Sequence, residues 1–239
     1  NNGGATASDA CGGVTWSNNS MGLSDDCGAT GSETVTFTAT DDCGNATSTT
    51  ATFTIEDTEH PIMDTWASNL TVECDGLGNQ SDLDDWLASR GGAAASDACS
   101  GLLWSYGCCS TLSDECGATG SATVTFYATD YCANVTSTTA TFTIEDTTAP
   151  SIDTAASDET VECDGMGNTA AFAAWLADNG GAEASDVCGG VTWSNNSTGL
   201  SDECGATGSE TVTFTATDDC GNMSTTTATF TIEDTTNPD

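Results

Sequence analysis

The stretch Ser209–Thr235, SETVTFTATDDCGNMSTTTATFTIEDT, decides the fold of this chain. Apolar residues alternate with polar ones, mostly threonine, on both sides of one turn: Val212, Phe214 and Ala216 before it, and Ala228, Phe230 and Ile232 after it. Alternation with a period of two is typical of half-buried strands. The turn between them, DDCGN at 218–222, consists largely of residues that favour tight turns. The stretch therefore predicts a β-hairpin.

The same hairpin pattern recurs at Glu33–Thr58 and Ala122–Thr147. The motif Ile-Glu-Asp-Thr begins at three positions, spaced 89 and 88 residues apart: Ile55, Ile144 and Ile232. Residues 2–58 align without a gap on residues 179–235 and differ at seven of 57 positions. Self-similarity at a fixed period indicates an array of one module.

The phase of the repeat predicts four segments. A truncated repeat at 1–58 lacks the first strands and the helix, complete repeats occupy 59–147 and 148–235, and 236–239 begins a further repeat or a linker. A domain of about 90 residues can fold alone but buries a modest fraction of its surface. We expect the chain to be a window on a longer array, or its open first repeat to be completed by a neighbouring chain.

Each complete repeat also predicts one short helix. In the last repeat Phe172, Trp175 and Leu176 have helical spacing, with Thr169 as N-cap and Gly180 just past the end. The remaining patterns predict short strands, all antiparallel. The predicted fold class is all-β: tandem immunoglobulin-like β-sandwich repeats of about 88–89 residues, each with one short inserted helix, arranged as a linear rod.

Charge excludes several classes of partner. The chain has 37 acidic residues, one Lys or Arg and a formal net charge of −36. Phosphate binding requires Lys and Arg, so nucleic acid and anionic membrane surfaces are poor partners. No apolar run approaches the ~20 residues that a membrane-spanning helix needs, so we expect no membrane insertion. The 13 cysteines indicate an oxidising, extracellular setting for a secreted or cell-surface protein.

Two motifs, TVTFTATDDCGN and TATFTIEDTTxP, resemble the hyalin-repeat (HYR) family and related immunoglobulin-like repeats of large secreted bacterial surface proteins. The motifs cover the hairpin and linker of each unit, about a third of the chain. The four-cysteine pattern and VECDG are similar to tandem repeats of Bacteroidota. The resemblance implies an immunoglobulin-like sandwich that acts as an adhesive or structural spacer without catalysis. The inserted helix and the extra cysteines depart from the plain hyalin repeat.

Four framework cysteines recur in each complete repeat: Cys74, Cys99, Cys116 and Cys132 in the second, and Cys163, Cys188, Cys204 and Cys220 in the third. Four cysteines allow three connectivities. We favour Cys188–Cys220 with Cys163–Cys204, and Cys99–Cys132 with Cys74–Cys116, because the SDxC and TDDC turns should lie at the same end of the sandwich. The pairing Cys163–Cys188 with Cys204–Cys220 stays open.

Three cysteines are left over by this scheme. In the first repeat Cys11–Cys43 would close and leave Cys27, while the second repeat has the additional pair Cys108 and Cys109. These three either form local disulfides or crosslink chains in an assembly. A zinc site is disfavoured, since the chain has one His and no CxxC motif.

Acidic residues cluster at the linkers between repeats, where a strand ends in Glu-Asp and a further Asp follows an X-Pro linker. Oxygen ligands from both sides of a joint suit Ca²⁺, and the arrangement resembles joints that Ca²⁺ stiffens between tandem sandwiches. The alternative is a solvated role, with turn Asp residues bonding their own backbone. The predicted Ca²⁺ ligands are Glu56, Asp57, Asp64, Glu145, Asp146, Asp153, Glu233 and Asp234.

Glycosylation is a further expectation. Asn-x-Ser/Thr sequons at one repeated position of the hairpin turn predict N-linked glycans, and Asp-Thr-Thr or Asp-Thr-Ala signals in the linkers predict O-linked ones. The candidate residues are Asn45, Asn134, Asn222, Thr147, Thr154 and Thr235.

Catalysis has little support. The single histidine, His60, lies in a linker beside Pro61 without a triad pattern. The carboxylate pairs recur in every repeat, whereas a glycosidase dyad is expected once per enzyme. The sequence therefore predicts a structural segment of an extracellular fibril or adhesin stalk, whose partners are copies of itself or further repeats end to end. The alternatives are a ligand- or carbohydrate-binding adhesion module and a spacer of a larger secreted enzyme.

Overall fold

The structure, a computed structural model, describes residues 2–108, 112, 113, 115–201, 203 and 205–237. These residues are mostly β-strand, with two α-helices of nine residues each. Neither helix of the described chain is long and apolar enough to span a membrane.

The elements follow the predicted repeats. In the first repeat they are β1 (Val14–Asn18), β2 (Gly31–Asp41) and β3 (Ala46–Ile55). In the second they are β4 (Ile62–Thr65), β5 (Leu70–Glu73), α1 (Gln80–Ala88), β6 (Ala94–Ser96), β7 (Leu102–Cys108), β8 (Gly120–Asp130) and β9 (Val135–Glu145). In the third they are β10 (Ser151–Thr154), β11 (Glu159–Glu162), α2 (Thr169–Ala177), β12 (Glu183–Ser185), β13 (Val191–Asn195), β14 (Gly208–Asp218) and β15 (Met223–Glu233).

The predicted hairpins are confirmed. Strands β14 and β15 pair antiparallel from Gly208↔Ile232 to Thr217↔Met223, and β2 pairs with β3 in the same way. The turn is held by one side chain, because Asp218 Oδ1 accepts from the backbone N–H groups of Cys220 and Asn222 at 2.8 and 2.9 Å. An Asp that bonds its own turn is the reason this residue type starts such loops.

Sheet order repeats along the chain. The third repeat has a four-stranded sheet in the order β11-β15-β14-β13 and a two-stranded sheet β10-β12. The second repeat has β5-β9-β8-β7 and β4-β6, while the first has the three strands β1-β2-β3.

The expectation that all strands run antiparallel is wrong for one pair in each complete repeat. Strand β11 pairs parallel with β15, from Glu159↔Phe230 to Glu162↔Glu233, and β5 pairs parallel with β9. The alternation of apolar residues specifies the buried face of a strand but not the direction of its neighbour. Parallel neighbours require a long connection, and here that connection contains the helix.

Helix α2 closes the core of the third repeat. Trp175 is 5% exposed and its ring lies 5.2 Å from Phe214 and 5.5 Å from Phe230, both fully buried. The indole N–H donates to the carbonyl of Ser157 at 3.3 Å. In the second repeat Trp86 contacts Phe142 in the same way, with ring centroids 5.7 Å apart. Both tryptophans satisfy the helical pattern read from the sequence.

The predicted helix cap at Thr169 is wrong, because the residue before the helix is Asn168, in the left-handed region at φ 47°. Its amide instead ties the preceding strand, with Nδ2 donating to the Glu162 carbonyl at 2.9 Å and Oδ1 accepting from Asp164 N–H at 3.0 Å. Gly180 lies just past the helix, as expected, at φ 66°. A Cβ there would press on the rings of Phe214 and Trp175, so glycine is required twice over.

The first repeat has an open apolar face. Phe53 and Ile55 of β3 are 62% and 39% exposed, whereas their counterparts Phe230 and Ile232 are 0% and 3% exposed. The difference follows from the sequence, because residues 2–58 contain no counterpart of α2 to cover this face.

Two compact units divide the chain differently from the sequence repeats. One comprises Asn1–Ser68, Ser89–Cys108 and Val124–Ala140, and the other Asn69–Ala88, Cys109–Thr123 and Thr141–Asp239. The second repeat contributes to both units. The covalent reason is that one part of it is bonded to the first repeat and another part to the third.

Replacing Trp175 with alanine should destabilise the third repeat by about 3–5 kcal/mol, the range for removing a large buried aromatic side chain. Urea unfolding followed by the fluorescence of the remaining tryptophans measures the change. Trp66→Ala is the matched control, because Trp66 is 65% exposed. Equal effects of the two variants would contradict the packing described here.

Candidate functional site

The three disulfides all connect one repeat with the next. They are Cys27–Cys132, Cys74–Cys188 and Cys116–Cys220, with Cα–Cα distances of 5.2, 6.0 and 5.2 Å. These distances are ordinary for disulfides. The bonded residues are 104–114 positions apart in the sequence, which is more than one repeat length.

The predicted pairing within repeats is therefore wrong. Cys188 bonds Cys74 instead of Cys220, Cys132 bonds Cys27 instead of Cys99, and Cys116 bonds Cys220 instead of Cys74. Cys11 and Cys43, predicted to pair, are both exposed thiols, and Cys99 and Cys163 are half-buried thiols. Cys27, expected to be left over, is bonded. Cys109, Cys204 and the side chain of Cys108 lie outside the described residues.

The error has a physical origin. Every framework position recurs about 88 residues later, so a spacing pattern fits pairing within a repeat as well as pairing with the next copy. Only the position of the loops at the ends of the repeats distinguishes the two. The same arithmetic explains Cys99: its counterpart Cys188 bonds Cys74, and the first repeat has no counterpart of Cys74.

We call the contact between the first and second repeats the first joint. Beside Cys27–Cys132, it contains two hydrogen bonds across the repeat boundary. Asn134 Nδ2 donates to the carbonyl of Asp57 at 3.2 Å, and the N–H of Ala29 donates to the carbonyl of Cys99 at 2.9 Å. One bond therefore fixes the linker and the other fixes the loop that carries the disulfide.

The second joint, between the second and third repeats, repeats this geometry residue by residue. Asn222 Nδ2 donates to the carbonyl of Asp146 at 3.0 Å, and the N–H of Ala118 donates to the carbonyl of Cys188 at 2.8 Å. This joint has two disulfides instead of one. Recurrence of the same contacts in two joints with divergent sequences marks the joint as a built feature of the array.

A group of carboxylates lies in each joint. In the first, Asp57, Asp97 and Asp130 each place one oxygen within 4.8 Å of the others. In the second, Asp146 and Asp186 are grouped with Cys188, whose sulfur is already committed to a disulfide. The oxygens come from both sides of the repeat boundary, which is the arrangement that a hard cation such as Ca²⁺ requires.

Electrostatics in the joints is unbalanced. Asp57 Oδ2 is a buried oxygen with no hydrogen-bond donor among the described residues. Burial raises the pKa of Asp146, and the nearby charges of Asp186 and Asp218 raise it further against a backbone hydrogen bond from Thr148. A buried carboxylate oxygen without a donor, among other carboxylates, favours a bound cation.

Asp130 differs from these, although it is 2% exposed. Burial raises the pKa of its carboxyl, but hydrogen bonds from the side chain and backbone of Asn134 outweigh this and hold the pKa below its usual range. Asp130 therefore stays ionised in the joint. Burial also raises the pKa of the Cys99 thiol, aided by the charges of Asp57, Asp97 and Asp130, which reduces its reactivity.

Of the predicted Ca²⁺ ligands, the structure brings only Asp57 and Asp146 into these groups. Asp64 accepts a hydrogen bond from Ser96 Oγ at 3.0 Å instead. The others are outside the carboxylate groups found among the described residues: Glu56, Glu145, Asp153, Glu233 and Asp234. The missed members are Asp97, Asp130 and Asp186, and a signal existed, since they begin the recurring SDxC and TDxC turns that carry the framework cysteines.

The glycosylation candidates differ in their contacts. Asn134 and Asn222 each use Nδ2 for two hydrogen bonds, to an Asp side chain and to a linker carbonyl, so a glycan there would break one of them. The hydroxyls of Thr147 and Thr235 donate to Glu73 and Glu162 at 2.9 and 2.7 Å. The joint geometry therefore leaves Asn45 and Thr154 as the candidates whose modification costs least.

Comparison with known proteins adds little to this picture. No family model matches the sequence, and no curated protein matches it. Among solved structures, mouse clustered PcdhgC3 EC1-3 is 13% identical with a TM-score of 0.31, covering 88% of this chain and 79% of that one. Drosophila N-cadherin EC1-4 is 10% identical with a TM-score of 0.31, covering 95% and 68%. Likeness at this level establishes no family.

Removing the first joint's disulfide by Cys132→Ser should destabilise the chain by about 2–5 kcal/mol, the usual cost of losing a native disulfide. The physical reason is that the bond closes a loop of 105 residues. Thermal unfolding under non-reducing conditions measures the loss.

Cys99→Ser is the matched control, because Cys99 is a free thiol in the same joint. Its melting temperature should stay close to that of the parent chain. If Cys99→Ser were the more damaging change, the pairing described here would be incorrect.

Proposed function

We propose that this chain is a non-catalytic structural segment of an extracellular fibril or adhesin stalk, in which tandem repeats follow one another as a rod and are locked by disulfides. The observation that carries the proposal is that every disulfide joins two successive repeats. A bond inside a repeat would stabilise that repeat alone, whereas a bond between repeats transmits tension along the array. The resemblance of the hairpin motifs to hyalin-type repeats supports the same role.

The bonds shorten the covalent path between the chain ends. Tension entering at the N-terminus would cross from Cys27 to Cys132, run back along β8 to Cys116, and cross to Cys220. That path contains about 60 residues, or roughly 200 Å when fully extended, against roughly 800 Å for the whole backbone. The array would therefore resist extension even after its β-sheets open.

Single-molecule force spectroscopy tests this function. A chain pulled from its two ends should reach a maximum extension of roughly 200 Å when oxidised and roughly 800 Å after reduction. Cys132→Ser should give an intermediate value of roughly 430 Å, because the shortest path then runs through Cys74–Cys188. An oxidised chain that extends to the reduced length would refute the proposed role of the joints.

We further propose that the joints bind Ca²⁺. Asp57, Asp97 and Asp130 would hold it in the first joint, and Asp146 and Asp186 in the second, each with backbone carbonyls or water completing the shell. The ion would neutralise carboxylates that burial and mutual repulsion otherwise destabilise. Its contribution would be stiffness of the joint.

Calcium should raise the melting temperature of the chain, and EDTA should remove that increase. The double variant Asp97→Asn/Asp186→Asn takes one carboxylate from each joint and should abolish most of the difference between calcium and EDTA. The double variant Asp64→Asn/Asp153→Asn removes two predicted ligands that lie outside the groups and should preserve it. Identical melting with calcium and EDTA, or equal loss in both variants, would count against the site.

A further inference from the structure

Each end of the described array repeats half of a joint. At one end, Cys11 and Cys43 are exposed thiols at positions whose counterparts, Cys188 and Cys220, are bonded to the preceding repeat. At the other end, Cys163 is a thiol at the position of Cys74, which is bonded to the following repeat.

The end of the first repeat has the features of an unfilled receptor. A cavity of about 200 Å³ is lined by Ala7, Asp9, Val14, Asp41 and Asn45 among others. Asn45 Nδ2 donates to Asp41 at 2.8 Å, as its counterparts do to their own Asp residues. Those counterparts, however, also donate to the linker carbonyl of the preceding repeat. Asn45 has the same second N–H to offer.

The end of the third repeat has the matching donor features. Gly28 and Gly117 pack against the backbone of Cys99 and Cys188 in the next repeat, whereas their counterpart Gly205 has open space beside it among the described residues. The linker already has its joint conformation: Thr236 N–H donates to Asp234 Oδ1 at 3.0 Å, as Thr148 N–H does to Asp146 Oδ1 at 3.2 Å.

We propose that the first-repeat end of one copy of this chain receives the third-repeat end of a second copy, and that a Cys11–Cys163 disulfide seals the contact. Asn45 Nδ2 would donate to the carbonyl of Asp234 of the second copy, and Ala206 N–H of that copy would donate to the carbonyl of Cys11. This proposal rests on the structural role proposed above. Because the two ends differ, the contact does not close on itself and generates a linear polymer.

The sealing step is a thiol–disulfide exchange with a low-molecular-weight disulfide such as glutathione disulfide. The two cysteine thiols lose two protons and two electrons and form one S–S bond, while the small disulfide is reduced to two thiols. By sequence, the counterpart position for Cys43 is Cys204, which lies outside the described residues. The step needs no enzyme or metal.

Charge sets the conditions. Each copy has a net charge of −36, and the contact adds Asp234 of one copy to Asp9 and Asp41 of the other. Association should therefore be faster in high salt, which screens like charges beyond about 10 Å. A covalent bond is well suited to hold two such copies once they have met.

Two end-blocked variants test the polarity of the contact. The receptor-blocked variant is Cys11→Ser/Cys43→Ser, and the donor-blocked variant is Cys163→Ser/Cys204→Ser. Each is oxidised with glutathione disulfide in high salt, alone and as a 1:1 mixture, and analysed by non-reducing electrophoresis. The parent chain should form a ladder, each variant alone should stay monomeric, and the mixture should stop at a dimer. Cys99→Ser is the control and should form the parent ladder.

Mass spectrometry identifies the bond. Cleavage at Asp and Glu is required, since the chain has a single Lys or Arg. The peptide containing Cys11 should be linked to that containing Cys163 in the dimer of the mixture. Dimers of either variant alone, or a mixture that stays monomeric, would overturn the proposal.

Mapping of the same samples separates the two hypotheses. If Cys27–Cys132, Cys74–Cys188 and Cys116–Cys220 form but the copies do not link, the end-to-end contact fails and the structural role of the joints stands. If these internal bonds are absent, both fail.

Discussion

Covalent bonding across repeat boundaries is the constraint on which this structure depends. A repeat of about 90 residues has a small core, which here amounts to two phenylalanines and a few aliphatic residues under one tryptophan. The acidic charge of the chain opposes the approach of successive repeats. Three disulfides overcome both problems, because each one stabilises two repeats and the contact between them.

The joint combines three kinds of interaction that reinforce one another. The disulfide limits the separation of the loops, the Asn134 or Asn222 amide fixes the linker carbonyl, and the carboxylates gather where the two meet. The same Asp that receives the asparagine amide also holds the hairpin turn. Local turn structure and the contact between repeats are therefore built from one set of side chains, so a change in either affects both.

Incomplete joints are as informative as complete ones. Cys99 is a thiol because the first repeat lacks the residues that would reach it, and its raised pKa reduces the reactivity of that thiol. Cys11 and Cys43 are thiols because their partners belong to a preceding repeat, and they are exposed. Unpaired cysteines in a repeat array thus mark the places where further repeats can bind.

The sequence by itself determined the local elements. Alternation of threonine with Val, Phe and Ile specified the strands and hairpins, helical spacing around Trp86 and Trp175 specified the helices, and the period of about 88 residues specified the array. These features arise from contacts between near neighbours in the chain, which short patterns encode. Tertiary structure alone decided the parallel pairing of β11 with β15, the disulfide partners and the members of the carboxylate groups. Each of these joins residues about 70 or more positions apart, or about 30 or more in the carboxylate groups, and in a repetitive chain the same pattern offers several equivalent partners, so only the packing of one repeat on the next selects among them.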